Sequence, residues 1–382
     1  MPGRSRSSTV VSAEAAAALF APAPPARLAW VSDSEPGIQR RRRGSGFVYL
    51  LPTGRPVRDE EVLQRIRRLA VPPAYEDVWI CLREDGHLQA TGRDARGRKQ
   101  YRYHPDWQLQ RGQTKFDRLL AFGRLLPSLR RAVQRRLGDD AEPTRERVLA
   151  TLVRLLDTTW MRIGNDEYAR QNGSYGLSTL RSDHAGVRGD ELRLSFVGKS
   201  GVRHEVKLSD RRIARVIRRC RELPGQELFQ YVDSDGSIGR LGSGDVNAWL
   251  AQASGDLHAT AKDFRTWHGS VHALAALLQA CDADPVPTPA AVVAEVARKL
   301  GNTPAVCRKA YIHPAVLALG EELASPERRA ALKERPWVTR PPAVRGLTLP
   351  ERRLIGLLQD VRRGARPSRR RGAARADGNG AC

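Results

Sequence analysis

Tyr311 lies near the end of the segment LGNTPAVCRKAYIHP, which spans residues 300–314. Thr303 followed by Pro304 is typical of a helix start, so the segment predicts a very short helix with the tyrosine near its end. Two basic residues, Arg308 and Lys309, come just before the tyrosine. Such a tyrosine is either a packed aromatic with a bonded hydroxyl or a reactive group, and the segment alone leaves both interpretations open.

A tyrosine hydroxyl that reacts needs help from its surroundings. Its pKa is about 10, so the neutral hydroxyl is a poor nucleophile unless cations or a base lie nearby. If the target is a phosphodiester, the transition state also needs donors on its equatorial oxygens, and the forked guanidinium of arginine suits that geometry. The leaving alkoxide needs an acid, a role that lysine can fill. The partners to look for are therefore arginines and lysines at helix ends and turns.

Four basic residues meet this description. Arg162 lies in MRIGND at the end of a predicted amphipathic helix, and Lys199 lies in GKSG, the turn of a predicted hairpin. Lys262 and Arg265 are three residues apart in TAKDFRTWHG and share one helix face. Each has an ordinary alternative when taken singly: a snorkelling arginine, a polar turn residue, or a solvated charged face.

The charge of the chain indicates a polyanionic partner. Among 382 residues, 65 are Lys or Arg and 42 are Asp or Glu, which gives a net charge of +23. That excess favours nucleic acid, with a merely solvated basic surface as the alternative. Five scattered cysteines without a CxxC pair indicate neither a zinc site nor a disulfide framework. No run of about 18 apolar residues is present, so we expect no membrane partner and a cytoplasmic location.

The elements that must position these residues divide into a β-rich part and a larger helical part. Residues 27–110 carry strand signals in EDVWICL and GHLQATGRDARGRKQYRYHP. Residues 111–363 are mainly helical, with TRERVLATLVRLLDTTWMRIG as the clearest amphipathic helix and Gly164 as its predicted C-cap. One β-hairpin, ELRLSFVGKSGVRHEVKL, interrupts the helices. A leader over residues 1–26 and a basic tail over residues 364–382 are predicted to be disordered, and the predicted fold class is α+β.

The ordered segments MRIGND, FVGKSG, KDFRTW and LGNTPAVCRKAYIHP resemble those of the type IB DNA topoisomerases. The blocks VPPAYEDVWI, GHLQATGRDARGRKQYRYHP and YGLSTLRSDH extend the likeness over roughly residues 30–330. The chain is most similar to the compact branch shared by poxviruses and bacteria. Any single block is a weak signal, but all of them in family order favour the reactive interpretation of Tyr311.

The resemblance implies a role for each basic residue. Tyr311 matches the nucleophile that forms a 3′-phosphotyrosyl bond and expels a 5′-hydroxyl. Arg162 and Arg265 match the pair that stabilises the transition state. Lys199 matches the hairpin lysine that protonates the leaving oxygen, and Lys262 matches a supporting basic residue on the helix of Arg265.

One catalytic position departs from the family pattern. Asn302 lies nine residues before the tyrosine, where poxvirus members and many relatives carry histidine. An amide can still donate a hydrogen bond to a nonbridging oxygen, so we assign Asn302 that role. The resemblance also implies DNA contacts by Gln100, Tyr101, Tyr103 and Tyr168, with Arg98 and Lys99 flanking the two strand tyrosines.

The implied function is relaxation of supercoiled duplex DNA by a cytoplasmic, nucleoid-associated monomer, in which the two domains close like a clamp. Neither ATP nor a metal cofactor is implied, because the broken bond is stored as a tyrosine ester and cationic side chains supply the positive charge. A tyrosine recombinase is the nearest alternative, but recombinases usually carry histidine where this chain has Lys262. They also lack the β-rich N-terminal block. A non-catalytic basic DNA-binding protein is the second alternative, which leaves the ordered Arg, Lys and Tyr set unexplained.

Overall fold

The computed structural model describes residues 27–95, 97–138 and 142–364; within its helices the side chains of residues 109–114, 167, 168 and 256 are not described. The predicted leader and, beyond Gly364, the predicted basic tail lie outside these ranges. The chain forms two compact units, the first ending at Asp117 and the second beginning at Arg118. Across the described ranges, no helix combines the length and apolar character needed to cross a membrane.

The first unit is built on a β-sheet. Apolar side chains of the sheet, among them Ile38, Val78 and Ile80, pack with Ile66 into a small core. Both predicted strand regions are confirmed. The elements are β1 (Ile38–Arg43), β2 (Gly46–Leu50), α1 (Glu60–Arg68), β3 (Glu76–Ile80), β4 (Leu88–Arg93), β5 (Lys99–Tyr103) and α2 (Pro105–Asp117). The strands are antiparallel in the order β2-β1-β3-β4-β5, so β5 forms one edge of the sheet.

The second unit is mainly helical, which confirms the α+β fold class. Its helices are α3 (Leu119–Leu137), α4 (Arg145–Thr159), α5 (Asp166–Asn172), α6 (Arg211–Glu222), α7 (Ser243–Ser254), α8 (Ala261–Ala280), α9 (Pro289–Leu300), α10 (Pro304–Ala310), α11 (Pro314–Ala318), α12 (Pro326–Lys333), α13 (Pro336–Thr339) and α14 (Leu349–Gly364). Short 3₁₀ turns cover Leu177–Thr179, Ser182–His184, Lys199–Gly201, Gly255–Leu257 and Leu319–Ala324.

Helix α8 lies at the centre of this unit. Most of its side chains are buried, including Phe264 and Trp267, which meet Phe122 of α3 edge-on. A helix that is apolar on most sides must be surrounded by other elements, and α3, α4, α9 and α14 pack around it. A charged residue on α8 can therefore reach the interior of the unit.

The predicted hairpin is confirmed and forms part of a larger sheet. Strands β6 (Ala185–Arg188), β7 (Glu191–Val197) and β8 (Arg203–Ser209) form an antiparallel sheet in the order β6-β7-β8. Burial alternates along β7, so Leu192, Leu194 and Phe196 face the core. The structure adds β6 and a separate two-stranded sheet of β9 (Gln230–Val232) and β10 (Ile238–Arg240) to the elements that the sequence predicts.

The predicted end of the long amphipathic helix is wrong. Helix α4 ends at Thr159, and its C-cap is Trp160 in the left-handed conformation, with φ 57°. Gly164 lies in the loop that follows, where a side chain would meet the backbone of Gly176. Arg162 therefore does not close the helix but belongs to this loop, whose backbone is held by the bond from the Leu177 N–H to the Arg162 carbonyl (2.9 Å).

Candidate active site

Tyr311 is the C-cap residue of α10. The helix starts as predicted, with the Thr303 hydroxyl accepting from the backbone N–H of Val306 and Pro304 in the first turn. Helix α8 holds the tyrosine backbone: the Ser270 hydroxyl donates to the Tyr311 carbonyl (3.3 Å) and accepts from the N–H of His313 (2.9 Å).

The two segments approach very closely at this point. A methyl group placed on Gly269 of α8 would lie 2.6 Å from the Tyr311 carbonyl oxygen. Only glycine permits this approach of a helix to the tyrosine backbone. The position of Tyr311 is therefore set by α8, the same helix that carries Arg265 and Lys262.

Arg265 is buried beside the tyrosine, with 4% of its surface exposed. Its guanidinium donates to the carbonyl of Leu300 (2.7 Å) and to the carbonyl of Trp160. The guanidinium carbon lies 4.9 Å from the centroid of the Tyr311 ring, and the two side chains are hydrogen-bonded. Within the described residues its buried Nε atom has no hydrogen-bond partner. Arg265 thus combines fixed geometry with a donor that is not used by the protein.

Arg162 and Asn302 form a second pair next to the first. Arg162 donates through Nη2 to the Gly301 carbonyl (3.1 Å) and to Oδ1 of Asn302. The buried Nδ2 of Asn302 has no partner among the described residues. A buried amide donor without an acceptor is costly, so its retention favours an acceptor that arrives from outside the chain.

The surrounding cations change the acidity of the tyrosine. Burial by itself raises the pKa of Tyr311, but the charge and hydrogen bond of Arg265, followed by the charges of Lys262 and Arg162, lower that pKa below its ordinary value. Burial also lowers the pKa of both arginines, although a guanidinium stays protonated at any physiological pH. The cluster therefore makes the phenolate, which is the nucleophilic form of tyrosine, easier to reach than in an isolated tyrosine.

The other two basic residues are more exposed than Arg265. Lys262 lies exposed in the first turn of α8 and contributes its charge to the environment of Tyr311. Lys199 lies exposed in the turn between β7 and β8, where Ser200 and Gly201 have positive φ. The structure thus brings Arg162, Lys262, Arg265, Asn302 and Tyr311 into one cluster, while the placement of Lys199 depends on the hairpin.

Trp160 holds Arg265 of the cluster through its backbone carbonyl, a role that the sequence does not indicate. Its left-handed conformation presents the carbonyl that accepts from Arg265. Its ring stacks on His268 of α8, with centroids 5.4 Å apart and planes inclined by 16°. A non-glycine residue in this conformation carries strain that the surrounding contacts must offset. The strained residue therefore supplies one of the two carbonyls that hold the Arg265 guanidinium.

A buried ionic network continues from the stacked histidine. His268 Nε2 lies 2.9 Å from Asp157 on α4, which also accepts from Arg130 on α3 (2.8 Å). Arg130 donates as well to Glu351 on α14 (2.7 Å). Burial alone would raise the pKa of Asp157, but the bonds from His268 and Arg130 hold it well below its usual range. The network thus joins four helices, α3, α4, α8 and α14, through their side chains.

Comparison with known proteins identifies the family. Residues 99–330 match the family model described as eukaryotic DNA topoisomerase I, catalytic core, and residues 46–94 match bacterial DNA topoisomerase IB, N-terminal domain. DNA topoisomerase 1B of Acanthamoeba polyphaga mimivirus is 32% identical over 292 residues, which cover 72% of this chain and 85% of the viral protein. DNA topoisomerase 1B of Vaccinia virus (strain Copenhagen) is 24% identical over 282 residues, covering 69% and 84%. The chain belongs to the type IB DNA topoisomerases.

This result selects among the interpretations that the sequence left open. The topoisomerase is an enzyme of the compact branch, with a bacterial-type N-terminal domain. The recombinase and the non-catalytic DNA-binding protein are both disfavoured, because the matched residues 46–94 and 99–330 cover the β-rich part as well as the catalytic cluster.

The predicted DNA contacts of this topoisomerase lie mostly on its first compact unit. Tyr101 and Tyr103 project from the edge strand β5 and stack with centroids 6.0 Å apart. Tyr101 is 40% exposed. The flanking polar residues bond to acidic neighbours: Arg98 and Gln100 to Asp94, and Lys99 to Asp33. The side chain of Tyr168 lies outside the described residues, so its predicted contact stays a prediction.

Sequence reasoning missed several residues around the cluster. Trp160, His268 and Ser270 act through partners that are distant in the chain, and no local pattern marks them. His204 is different, because it shares the half-buried face of β8 with Val206 and Leu208. A histidine among apolar residues on this face of the strand indicates a polar contact in the interior. As for metals, no group of three or more His, Cys, Asp or Glu side chains in the described part of the chain is placed to hold one.

Proposed function

We propose that this topoisomerase relaxes supercoiled duplex DNA through a covalent 3′-phosphotyrosyl intermediate formed by Tyr311. The observation that carries the proposal is the Tyr311 side chain held among Arg265, Arg162 and Lys262, whose charges lower its pKa. A structural tyrosine needs no such arrangement. A nucleophilic tyrosine does, because cations must stabilise its phenolate.

The first step is attack of the Tyr311 oxygen on the scissile phosphorus, with the phenolic proton passing to water. The new P–O bond to tyrosine forms while the bond to the 5′-oxygen breaks. Charge that develops on the nonbridging oxygens is stabilised by donors from Arg162 and Arg265, and the unused Nδ2 of Asn302 is well suited to the same task. Lys199 gives a proton to the leaving 5′-oxygen, which departs as a hydroxyl.

The second step reverses the first after the free strand has rotated. The 5′-hydroxyl attacks the phosphotyrosine ester, its proton returns to Lys199, and the tyrosine leaves as the phenolate, which takes a proton back from water. The phosphodiester bond is replaced by a tyrosine ester and then restored. Because no ester bond is hydrolysed, the cycle needs no ATP. Positive charge comes from arginine and lysine side chains, so the proposed mechanism uses no metal ion.

Binding of the duplex is proposed to involve the edge strand β5. The stacked pair Tyr101 and Tyr103 offers an aromatic surface, and Gln100 offers amide donors and acceptors that suit base edges. Arg98 and Lys99 would exchange their carboxylate partners for phosphates. We propose that the enzyme acts as a monomer associated with the nucleoid.

The test is relaxation of supercoiled plasmid in EDTA without ATP, on a plasmid that contains no recombination site. We expect relaxation by the parent enzyme and a denaturation-resistant protein–DNA adduct that joins Tyr311 to a 3′-phosphate. Relaxation only with ATP or a divalent metal would contradict the metal-free mechanism. Binding without any adduct would support the non-catalytic alternative.

A further inference from the structure

The imidazole of His204 lies between two glycines from different parts of the second unit. A methyl group placed on Gly198 would lie 2.6 Å from His204 Cδ2, and one placed on Gly301 would lie 2.6 Å from His204 Cε1. Real side-chain atoms do not approach so closely, so the ring occupies the space that a side chain at either position would need. His204 is in direct contact with both backbones.

Each of these glycines precedes a residue of the candidate site. Gly198 comes immediately before Lys199, at the start of the hairpin turn, and Gly301 comes immediately before Asn302. Gly301 is also the C-cap of α9, with φ 60°, and its carbonyl accepts from Arg162. One ring therefore touches the backbone that carries the proposed acid and the backbone that carries the proposed amide donor.

The ring is itself held in place by the sheet. His204 on β8 is directly opposite Phe196 on β7, and their rings stack with centroids 5.1 Å apart and planes inclined by 19°. Stacked cross-strand pairs restrict both side chains. Burial, followed by the positive charges of Arg162 and Arg265, lowers the pKa of His204, so its imidazole stays neutral at physiological pH. A neutral ring adds no positive charge to the surroundings of the two arginines.

We propose that His204 is a positioning residue that docks the Lys199 turn of the hairpin onto the Asn302 turn of the catalytic cluster. This inference rests on the proposed function, in which Lys199 protonates the leaving 5′-oxygen. The turn is closed by two backbone bonds, from the Gly198 N–H to the Val202 carbonyl (2.7 Å) and from the Gly201 N–H to the Gly198 carbonyl (3.1 Å). These bonds fix the shape of the turn but do not themselves set its orientation toward the cluster. The imidazole supplies that orientation through its contacts with the two glycines.

The proposal predicts a defect confined to protonation of the leaving group. In His204→Ala the turn loses its contact with Gly301, and we expect single-turnover cleavage of normal duplex to slow by roughly 10- to 100-fold, the cost of misplacing a reacting group by about 1 Å. A substrate with sulfur at the 5′-bridging position needs no proton donor, since a thiol is far more acidic than an alcohol. Cleavage of that substrate should stay close to the parent rate.

Gly198→Ala provides a second variant that does not remove the histidine. Gly198 has φ −96°, which any residue adopts, so the added methyl acts only by meeting the ring. We expect the same selective slowing on normal DNA. In the double variant Gly198→Ala/His204→Ala the methyl meets no ring, so cleavage should be no slower than in His204→Ala alone.

Val206→Ala is the matched control for a general loss of packing. Val206 lies on the same strand and packs against the core, but its atoms are not among those nearest to Gly198 or Gly301. We expect this variant to cleave both substrates at rates close to the parent. Three results would overturn the proposal. His204→Ala could cleave both substrates equally slowly, the losses in the double variant could be additive, or neither single variant could be slowed.

Docking of the turn is also measurable without catalysis. Trypsin cleaves after lysine and arginine, so the rate of cleavage after Lys199 in the free enzyme reports how firmly the turn is held. We expect faster cleavage there in His204→Ala than in the parent or in Val206→Ala, and equal rates would contradict the docking contact. Failure of the proposed function would be recognised separately, because the parent would then form no Tyr311-linked DNA with either substrate.

Discussion

The guanidinium carbon of Arg265 lies 4.9 Å from the ring centroid of Tyr311, and only 4% of the arginine surface is exposed. A buried charge is little screened by solvent or salt, so it acts strongly on its neighbour. The Arg265 guanidinium must itself be held in place for this effect. It donates hydrogen bonds to the carbonyls of Trp160 and Leu300, which fix its position. The acidity of the tyrosine thus depends on the C-cap residue of α4 and on residues of α8 and α9, which pack together in this unit.

Replacement of Tyr311 by phenylalanine tests the nucleophile. The ring remains available to pack beside Arg265, while the attacking oxygen is lost, so we expect no detectable relaxation and nearly unchanged duplex affinity. The measurements are plasmid relaxation and duplex binding by gel shift. Relaxation by the variant at a rate near that of the parent would falsify the assignment of Tyr311.

Local patterns in the sequence were enough to predict the frame of the site. The Thr303–Pro304 helix start and the β7–β8 hairpin are confirmed, because capping and strand alternation depend on residues a few positions apart. The α+β fold class is confirmed for the same reason. The proximity of Arg265 to Tyr311 was implied only by the resemblance to the type IB topoisomerases. No pattern of neighbouring residues predicts it, because the two residues are far apart in the chain.

The end of α4 shows where local patterns fail. Gly164 is a good C-cap by residue type, yet the helix ends at Trp160, a residue that rarely adopts positive φ. The preference is overruled by tertiary contacts, namely stacking on His268 and the bond from Arg265 to the Trp160 carbonyl. These partners lie more than 100 residues away in the chain, so no window of sequence contains them.

Asn302 can be tested by a substitution that keeps its shape. Asn302→Asp preserves an oxygen for Arg162 but removes both N–H donors and adds a negative charge near the phosphate. We expect single-turnover cleavage to fall by roughly 10²- to 10³-fold, the usual effect of losing one transition-state donor. Asn302→His restores a donor and should lose much less. An aspartate variant that cleaves as fast as the parent would show that Nδ2 does not act on the phosphate.

Lys199→Ala tests the general acid. We expect severe slowing of cleavage on normal DNA, and near-complete recovery on the substrate with a 5′-bridging sulfur, because that leaving group needs no proton. Arg162→Ala and Arg265→Ala serve as controls, since their proposed donors act on nonbridging oxygens and sulfur should not rescue them equally. Equal loss on both substrates would mean that Lys199 acts through charge or position, and little loss on either would mean an ordinary turn lysine.

Duplex affinity should depend steeply on salt. The net charge of +23 must act largely through phosphate contacts, and each contact releases counterions from the DNA. We expect the logarithm of the binding constant to fall linearly with the logarithm of salt concentration, measured on Tyr311→Phe so that cleavage does not interfere. Affinity that stays constant between low and physiological salt would contradict an electrostatic interface.

His313 follows the tyrosine by two residues and is expected to make the stability of the protein depend on pH in acid. The His313 Nδ1 accepts from the N–H of Ala315 (3.1 Å) and caps α11. Only the neutral imidazole with its proton on Nε2 can accept this bond. Burial lowers the pKa of His313 to about 4, whereas the unfolded chain has a value near 6.5. Between these two values the unfolded state binds more protons than the folded state, so stability rises with pH. The contribution is therefore fully present above about pH 6.5 and is lost as the pH falls toward 4.

His313→Asn is the matched variant, because asparagine is also a good N-cap residue but does not titrate. We expect the two proteins to respond differently to acid: from pH 7.5 to pH 4.5 the urea midpoint of the parent should fall further than that of the variant. Other histidines with lowered pKa values, such as His184, His204 and His272, are present in both proteins, so the difference between the two curves isolates His313. Parallel curves over this range would mean that His313 is not held neutral by the fold.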